Sequence, residues 1–269
     1  MKPLVLTLRQ TPEQRLDMSP LVPHRLAGKT AAEIAEIELQ TTRVRVTVGD
    51  IFRLRMGEPR QIRIENACER LDWIGQDMMD GEILVEGNVG IQAGRTMRGG
   101  RLTIAGDAGP WAASAMIGGM LEITGNAGDR LGGPLAGEMT GMRGGIVIVR
   151  GHAGERAGDR LRRGTILVEG SAGRYAGCRM VAGTLVARRK VGPLPGYLMR
   201  RGTIVLGEGS AALSPTFVDC GLHDLLALRI MASFVETYSP RLASVIQQPR
   251  RRLAGDMAVT GKGEIFTPA

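Results

Sequence analysis

Guanidinium groups recur at one fixed place in this chain. Arg98, Arg143, Arg162 and Arg200 each stand two residues before a glycine (Gly100, Gly145, Gly164 and Gly202). The same place is held by Met79, Ile117 and Val181 before three further glycines, and Arg160 and Arg179 flank it. Such a column can bind a polyanion through charge-assisted, often bidentate hydrogen bonds. The plainer reading is a solvated face whose charges meet a partner protein. The chain carries 35 Lys and Arg against 27 Asp and Glu, a formal charge of +8. Only Lys2, Lys29, Lys190 and Lys262 are lysines, a bias that a GC-rich genome also produces. A separate run, Arg250-Arg251-Arg252, lies in the tail. No nucleic-acid motif accompanies these charges. Aromatic residues make up 3% of the chain, few to stack on bases, so nucleic acid is not an expected partner.

Other reactive side chains are sparse. Glu82, Glu86, Glu122 and Glu169 fall at outward positions of different repeats, whereas acid–base chemistry needs carboxylates brought together. The histidines are His24, His152 and His223; Cys220-Gly-Leu-His223 offers two ligands without a second pair. Gly87-Asn-Val-Gly90 looks like a phosphate loop but lacks the following helix and lysine. No catalytic residue, metal site or bound cofactor is expected. Cys68, Cys178 and Cys220 make no disulfide framework, which points to a reducing, cytoplasmic setting. No run approaches a membrane span, and Met1–Gln10 lacks a signal-peptide pattern.

The elements that position the arginines follow from a nineteen-residue period. Glycines stand at 81, 100, 119, 145, 164, 183 and 202, and the one longer step implies a seven-residue insertion near Gly133–Met139. Two residues on come Ile83, Leu102, Leu121, Val147, Ile166, Leu185 and Ile204. Four residues on come Val85, Ile104, Ile123, Val149, Val168, Ala187 and Leu206. This period-two alternation is the mark of a short strand with one buried face. A unit this short must stack on its neighbours. The spacing predicts an all-β right-handed parallel β-helix of about seven coils, roughly 30–35 Å long. Met78, Met97, Met116, Met142, Leu161, Met180 and Met199 form a second inward column, read as core filler. Glycines six and nine residues on, with pairs such as Asn88-Val89, read as left-handed corners.

Position three carries Ile148, Leu167, Val186 and Val205 on successive repeats, apolar residues on an outward wall. That stripe marks an interface, covered either by the C-terminal helix or by a partner protein. The chain divides into an N-terminal cap (1–60), the repeats (61–210) and a C-terminal helix and tail (211–269). In the first part Leu4, Leu6 and Leu8 alternate, Thr30 and Glu33 form a capping box, and Arg43–Val48 alternates again. In the last, Leu222, Leu225, Leu226, Ile230 and Phe234 are spaced as one helix face, able to close the open end of the stack.

The repeats Gly81–Gly90, Gly100–Gly109, Gly119–Gly128, Gly145–Gly154 and Gly164–Gly173 resemble the β-helix shared by the C (gamma) subunit of formylmethanofuran dehydrogenase and the glutamate synthase large subunit. The stretches Leu4–Leu8, Ala27–Ile34 and Val48–Phe52, with the tail Gly255–Val259 and Gly261–Glu264, are similar to the free-standing C subunit, including that of the bacterial formyltransferase/hydrolase complex. The resemblance covers nearly the whole chain. It implies a right-handed β-helix and a scaffold role in tetrahydromethanopterin-linked one-carbon metabolism. There a formyl group passes from the pterin to a furan-type carrier and leaves as formate, on the A and D subunits. It implies the A, B and D subunits as partners. It also implies a methanofuran-like carrier with an acidic glutamyl tail, a possible ligand for the arginines. The arginine bias favours the bacterial complex over the tungsten or molybdenum dehydrogenase that reduces carbon dioxide. An autonomous carbohydrate-active β-helix and a free-standing polyanion-binding module are the other readings. The missing carboxylate cluster counts against the first of these.

Overall fold

The computed structural model describes residues 2–41 and 44–269. Arg43, at the head of the alternating stretch Arg43–Val48, lies outside the described residues. The N-terminal part holds β1 (Pro3–Leu8), β2 (Leu16–Asp17), α1 (Pro23–Leu26), α2 (Ala31–Ala35), β3 (Glu38–Leu39), β4 (Val46–Thr47), α3 (Val48–Ile51) and β5 (Phe52–Arg55). Then come β6 (Glu58–Ala67) and β7 (Leu71–Asp72). The repeats supply β8 (Glu82–Gly87), β9 (Arg101–Ala105), β10 (Met120–Ile123), β11 (Ile146–Val149), β12 (Thr165–Val168), β13 (Thr184–Ala187) and β14 (Arg201–Leu206). The chain ends with β15 (Val218–His223), α4 (Leu226–Glu236), α5 (Pro240–Gln247), β16 (Arg250–Gly255) and β17 (Lys262–Thr267). The protein is mostly β, built on one large, mainly parallel sheet of 13 strands.

The register follows the apolar columns. Ile83, Leu102, Leu121, Val147, Ile166, Leu185 and Ile204 stand side by side across seven parallel strands. Ile62 and Leu4 extend the row at one end and Ile265 at the other. A second ladder of single bridges joins Val89, Ala108, Ala127, Ala153, Ala172, Val191 and Ser210. A third runs through the methionine column: Arg98 N–H donates to the Met78 carbonyl at 2.8 Å, Arg162 to Met142 at 2.9 Å and Arg200 to Met180 at 2.8 Å. Every member of that column, Met78 through Met199, is fully buried. Each repeat thus hands hydrogen bonds to its neighbour along three lines, which satisfies the backbone of a unit too short to do so alone.

The glycines at positions six and nine do different work from the left-handed corners expected of them. Apart from Gly87 they do not have positive φ. A Cβ on Gly109 would lie 2.6 Å from the Gly90 carbonyl oxygen of the preceding repeat. Glycine is required there because two backbones touch. The left-handed turn sits at the repeat glycine itself, from Gly81 (φ 76°) to Gly202 (φ 112°).

Strand faces change midway along the sheet. In β8 buried residues alternate with more exposed ones; in β11, β12 and β13 the last three residues are all buried. The second buried face belongs to Ile148, Leu167, Val186 and Val205, each at most 1% exposed. They pack with Leu228, Ala232 and Val235 of α4 and with Leu242, Ala243 and Ile246 of α5. The stripe is an interface within the chain, and the C-terminal helices cover it.

Those helices do not close the end of the stack. The free edge of β14 needs N–H and C=O partners, which a helix cannot offer. β17 pairs with it in parallel, and β16 and β15 follow antiparallel. Leu222 lies in β15, so the helix starts later than its spacing predicts. Leu226, Ile230 and Phe234, read as the inward face, are exposed. The capping box of α2 is present: Thr30 N–H donates to the Glu33 carboxylate at 2.7 Å and Glu33 N–H to the Thr30 hydroxyl at 3.3 Å.

Candidate functional site

The six arginines lie on two adjoining lines of one wall. Arg98, Arg143, Arg162 and Arg200 follow the outward line beside the methionine column and are exposed. Met79, Ile117 and Val181, on the same line, are exposed too. Arg160 and Arg179 sit one corner away in left-handed backbone, φ 51° and 54°. Among the described residues Arg98, Arg143, Arg160, Arg162 and Arg200 form no salt bridge, although Arg143 lies within electrostatic reach of the Glu138 carboxylate. Arg179 differs. It grips the fully buried Asp159 through two hydrogen bonds, one of 3.0 Å from its Nε.

The insertion builds the wall's relief. Residues 134–139 fold over Arg130, Asp159, Arg160 and Arg179 and enclose a hollow of about 300 Å³. Glu138 clasps this loop. Its carboxylate accepts from Arg95 at 2.6 Å and from Leu135 N–H at 2.9 Å, and its carbonyl accepts from Arg160 at 2.9 Å. Burial pushes the Glu138 carboxyl up, but Arg95 and the Leu135 amide outweigh it and hold it below its usual range. A second hollow, of about 230 Å³, adjoins the first. It is lined by Val181, Leu198, Val259 and the largely exposed Met139, together with Arg160, Arg179 and Arg200. The structure therefore brings Arg160, Arg179 and Arg200 together. Arg98, Arg143 and Arg162 stay on the open line. Arg130 lines the first hollow and stands 6.0 Å from the centre of the Trp111 ring; sequence spacing alone carries no sign of it.

Three of the four outward carboxylates are engaged; Glu82, exposed at the head of β8, has no ion pair among the described residues. Glu86 pairs with Arg63. Glu122 and Glu169 share Arg150, at 2.7 Å and 2.6 Å. Glu169 also accepts from the Ser239 hydroxyl at 2.8 Å. This network ties the start of α5 to the sheet. Cys178 is buried beside Asp159; burial first, and then that carboxylate, push its thiol up to about 12, away from thiolate chemistry. His152 serves the fold. Its Nδ1 accepts from Ser171 N–H at 3.0 Å, continuing a column in which the side chains of Asn88, Asp107 and Asn126 each accept from the next repeat's amide. His223 Nε2 meets the Cys220 carbonyl at 3.0 Å. Among the described residues no group of three or more His, Cys, Asp or Glu could hold a metal ion.

No family model matches the chain. It is 44% identical to the C subunit of the formyltransferase/hydrolase complex Fhc of Methylorubrum extorquens, over 98% of this chain and 99% of that one. The chain belongs to that C-subunit family. A solved structure agrees: the formyltransferase/hydrolase complex FhcABCD from Methylorubrum extorquens, in complex with methylofuran, contains a chain that matches with a TM-score of 0.95. It is 38% identical and covers 98% of this chain and 99% of that one. The C subunit of the tungsten-containing formylmethanofuran dehydrogenase 2 of Methanothermobacter thermautotrophicus is 36% identical over 100 residues, 35% of this chain and 37% of that one. The family's full-length likeness thus lies with the formyltransferase/hydrolase complex, and the dehydrogenase protein shares about a third of the chain.

Proposed function

We propose that this chain is a non-catalytic structural subunit of a formyltransferase/hydrolase complex, assembled with the A, B and D subunits. In that complex a formyl group passes from a tetrahydromethanopterin carrier to a furan-type carrier and is released as formate. The observation that carries the reading is the end-to-end likeness to the C subunit at 44% identity. The character of the wall supports it. Glu86, Glu122 and Glu169 are engaged in ion pairs, and the one buried thiol is held protonated. The repeats wind as a right-handed parallel β-helix, residues 61–210, between an N-terminal cap (1–60) and a C-terminal helix and tail (211–269). Three hydrogen-bonded lines at a nineteen-residue offset support this winding. The cytoplasm suits three cysteines that form no disulfide. No described helix is long and apolar enough to cross a membrane.

The arginine wall is the surface for the acidic tail of a polyglutamylated, methanofuran-like carrier. Arg160 and Arg200 at the second hollow, with Arg98, Arg143 and Arg162 along the open line, supply unpaired guanidinium groups. Arg179 holds the loop side through Asp159. The decisive test of the whole reading is the composition and chemistry of the native assembly. A tagged chain should bring down the other subunits and release formate from formyl-pterin with no electron acceptor. A tagged chain that comes down alone would overturn it.

A further inference from the structure

The insertion loop is pinned at its base and lightly held above it. Met142 N–H donates to the Gly132 carbonyl at 2.7 Å, which closes the base. On either side the ladder between repeats runs on: Gly158 N–H donates to Leu131 at 2.7 Å and Arg143 N–H to Met116 at 2.6 Å. The stack is therefore continuous without the loop. Pro134, at the loop's foot, is buried, but none of residues 135–139 is. A Cβ on Gly137, at φ 84°, would meet nothing within 4 Å. Few buried apolar contacts mark a segment that opens at low cost. Polar contacts through Glu138 hold the loop down instead. Its carboxylate accepts from Arg95 and from Leu135 N–H, and its carbonyl accepts from Arg160.

Arg95 is the buried half of the first contact. Its guanidinium donates to the hydroxyl of the fully buried Ser114 at 3.1 Å, and its side chain is only 18% exposed. Among the described residues its one salt bridge is to Glu138. A guanidinium at this depth is costly without a counter-charge, so the place calls for an anion whether or not the loop supplies it. The loop also lies over the hollow that holds Arg130, Arg160 and Arg179. The group now in the place is a glutamate carboxylate, the chemistry that a glutamyl tail carries on every residue.

We propose that Arg95, backed by Ser114, is a carboxylate subsite of the arginine wall, and that Glu138 fills it in the free chain in place of a glutamyl carboxylate of the carrier tail. This deepens, and rests on, the reading of the wall as the surface for that tail. A tail carboxylate takes Arg95, Glu138 leaves, and the loop over Arg130 and Arg160 opens. The exchange swaps one carboxylate for another, so Arg95 is never left without a counter-charge. Glu138 and Leu135 are already half-exposed, so their released polar groups pass to water.

The test uses the assembled complex, with synthetic hexaglutamate as the probe at low salt. Glu138→Gln removes the competing charge and keeps the size of the side chain. It should bind the probe more tightly, by about threefold or more. In an Arg95→Gln background the same substitution should bring no gain, whereas a loop that merely covers the wall would give the gain in both. The wild-type complex supplies a second readout. Saturating hexaglutamate should speed amide hydrogen exchange in residues 134–139, which a purely structural clasp would not show. Equal or weaker binding by Glu138→Gln, a gain that survives Arg95→Gln, or unchanged loop exchange overturns the subsite. The wall reading then stands if replacing Arg160, Arg162 and Arg200 by Ala still weakens binding of the probe. A wild-type complex that binds no hexaglutamate overturns both.

Discussion

Arg150 donates to Glu169 at 2.6 Å across one nineteen-residue step, from the residue after β11 to the residue after β12. The same guanidinium reaches Glu122 on the other side and the Tyr238 carbonyl at 3.1 Å. One arginine thereby joins three successive repeats to the connection between α4 and α5. Glu169 is buried, and Arg150 is about one-third exposed. The helices that cover Ile148, Leu167, Val186 and Val205 are thus held by a polar clasp as well as by apolar packing.

Replacing Arg150 by Met should loosen that clasp. It leaves the buried Glu169 without the guanidinium that donates to it at 2.6 Å, and hydrogen bonds to charged groups contribute about 1.5–3 kcal/mol. Urea unfolding should show a loss of about 2 kcal/mol. Hydrogen exchange should rise first in α4 and α5. Uniform exchange across the sheet, with no local effect on the helices, would contradict the clasp.

Acid should have the same effect by another route. Burial pushes the Glu169 carboxyl up, but Ser239, Arg150 and Arg241 outweigh it, so its folded value lies below its ordinary one. For Glu122 burial likewise acts upward, and Arg150 and Arg101 outweigh it. Carboxyls lowered by folding stabilise the protein fully above their unfolded value, about 4.3, and that contribution is lost as pH falls through the folded value. The melting temperature should hold from about pH 8 to about 5 and fall below about 4.3. Glu169→Gln should lower the melting temperature at about pH 7 and make its acid slope shallower. An unchanged slope would assign acid sensitivity to other groups.

Close contact between repeats makes Gly109→Ala costly. The added methyl would meet the Gly90 carbonyl oxygen at 2.6 Å, a backbone atom that cannot swing away. Overpacking of this kind costs about 1–3 kcal/mol. Val168→Asp, at a fully buried strand position, should cost several kcal/mol. Calorimetry that found either variant as stable as the wild type would mean that the repeats do not stack in this register.

Arg160→Ala with Arg162→Ala and Arg200→Ala should weaken binding of an oligoglutamyl carrier at low salt, by about tenfold or more. The difference should shrink at high salt, because exposed charges are screened over about 8–10 Å. Arg179 is left out of that variant because removing it would strand Asp159, which is fully buried. Unchanged affinity at low salt would leave the arginines as an ordinary solvated or partner-facing wall.

The columns are readable from spacing because each is repeated seven times. Period-two alternation puts Ile83 through Ile204 inside, the recurrence of an apolar residue three before each glycine puts Met78 through Met199 there, and the structure buries them all. The outward line of Arg98, Arg143, Arg162 and Arg200 follows from the same count. What occurs once is less legible. The helix Leu226–Glu236 has two apolar faces, and periodicity selects the bulkier one, Leu226, Ile230 and Phe234. The sheet accepts the line with Ala232 at its centre. The end of the stack goes to β17, because an open strand edge demands backbone partners and local helix spacing is blind to that demand. The role of glycine at position nine is hidden because a close approach and a positive φ both select glycine. Arg130 escapes notice because it joins the hollow only once residues 134–139 fold back over it.

The central claim is that this chain is a structural subunit of a formyl-transferring, formate-releasing complex. Its most direct test is to purify the tagged full-length chain from its native host and analyse what comes with it. The expected result is an assembly with the A, B and D subunits that releases formate from formyl-pterin without any electron acceptor and lacks stoichiometric tungsten or molybdenum. A chain that purifies alone, or an assembly that holds stoichiometric tungsten or molybdenum and works only with an electron acceptor, would contradict it.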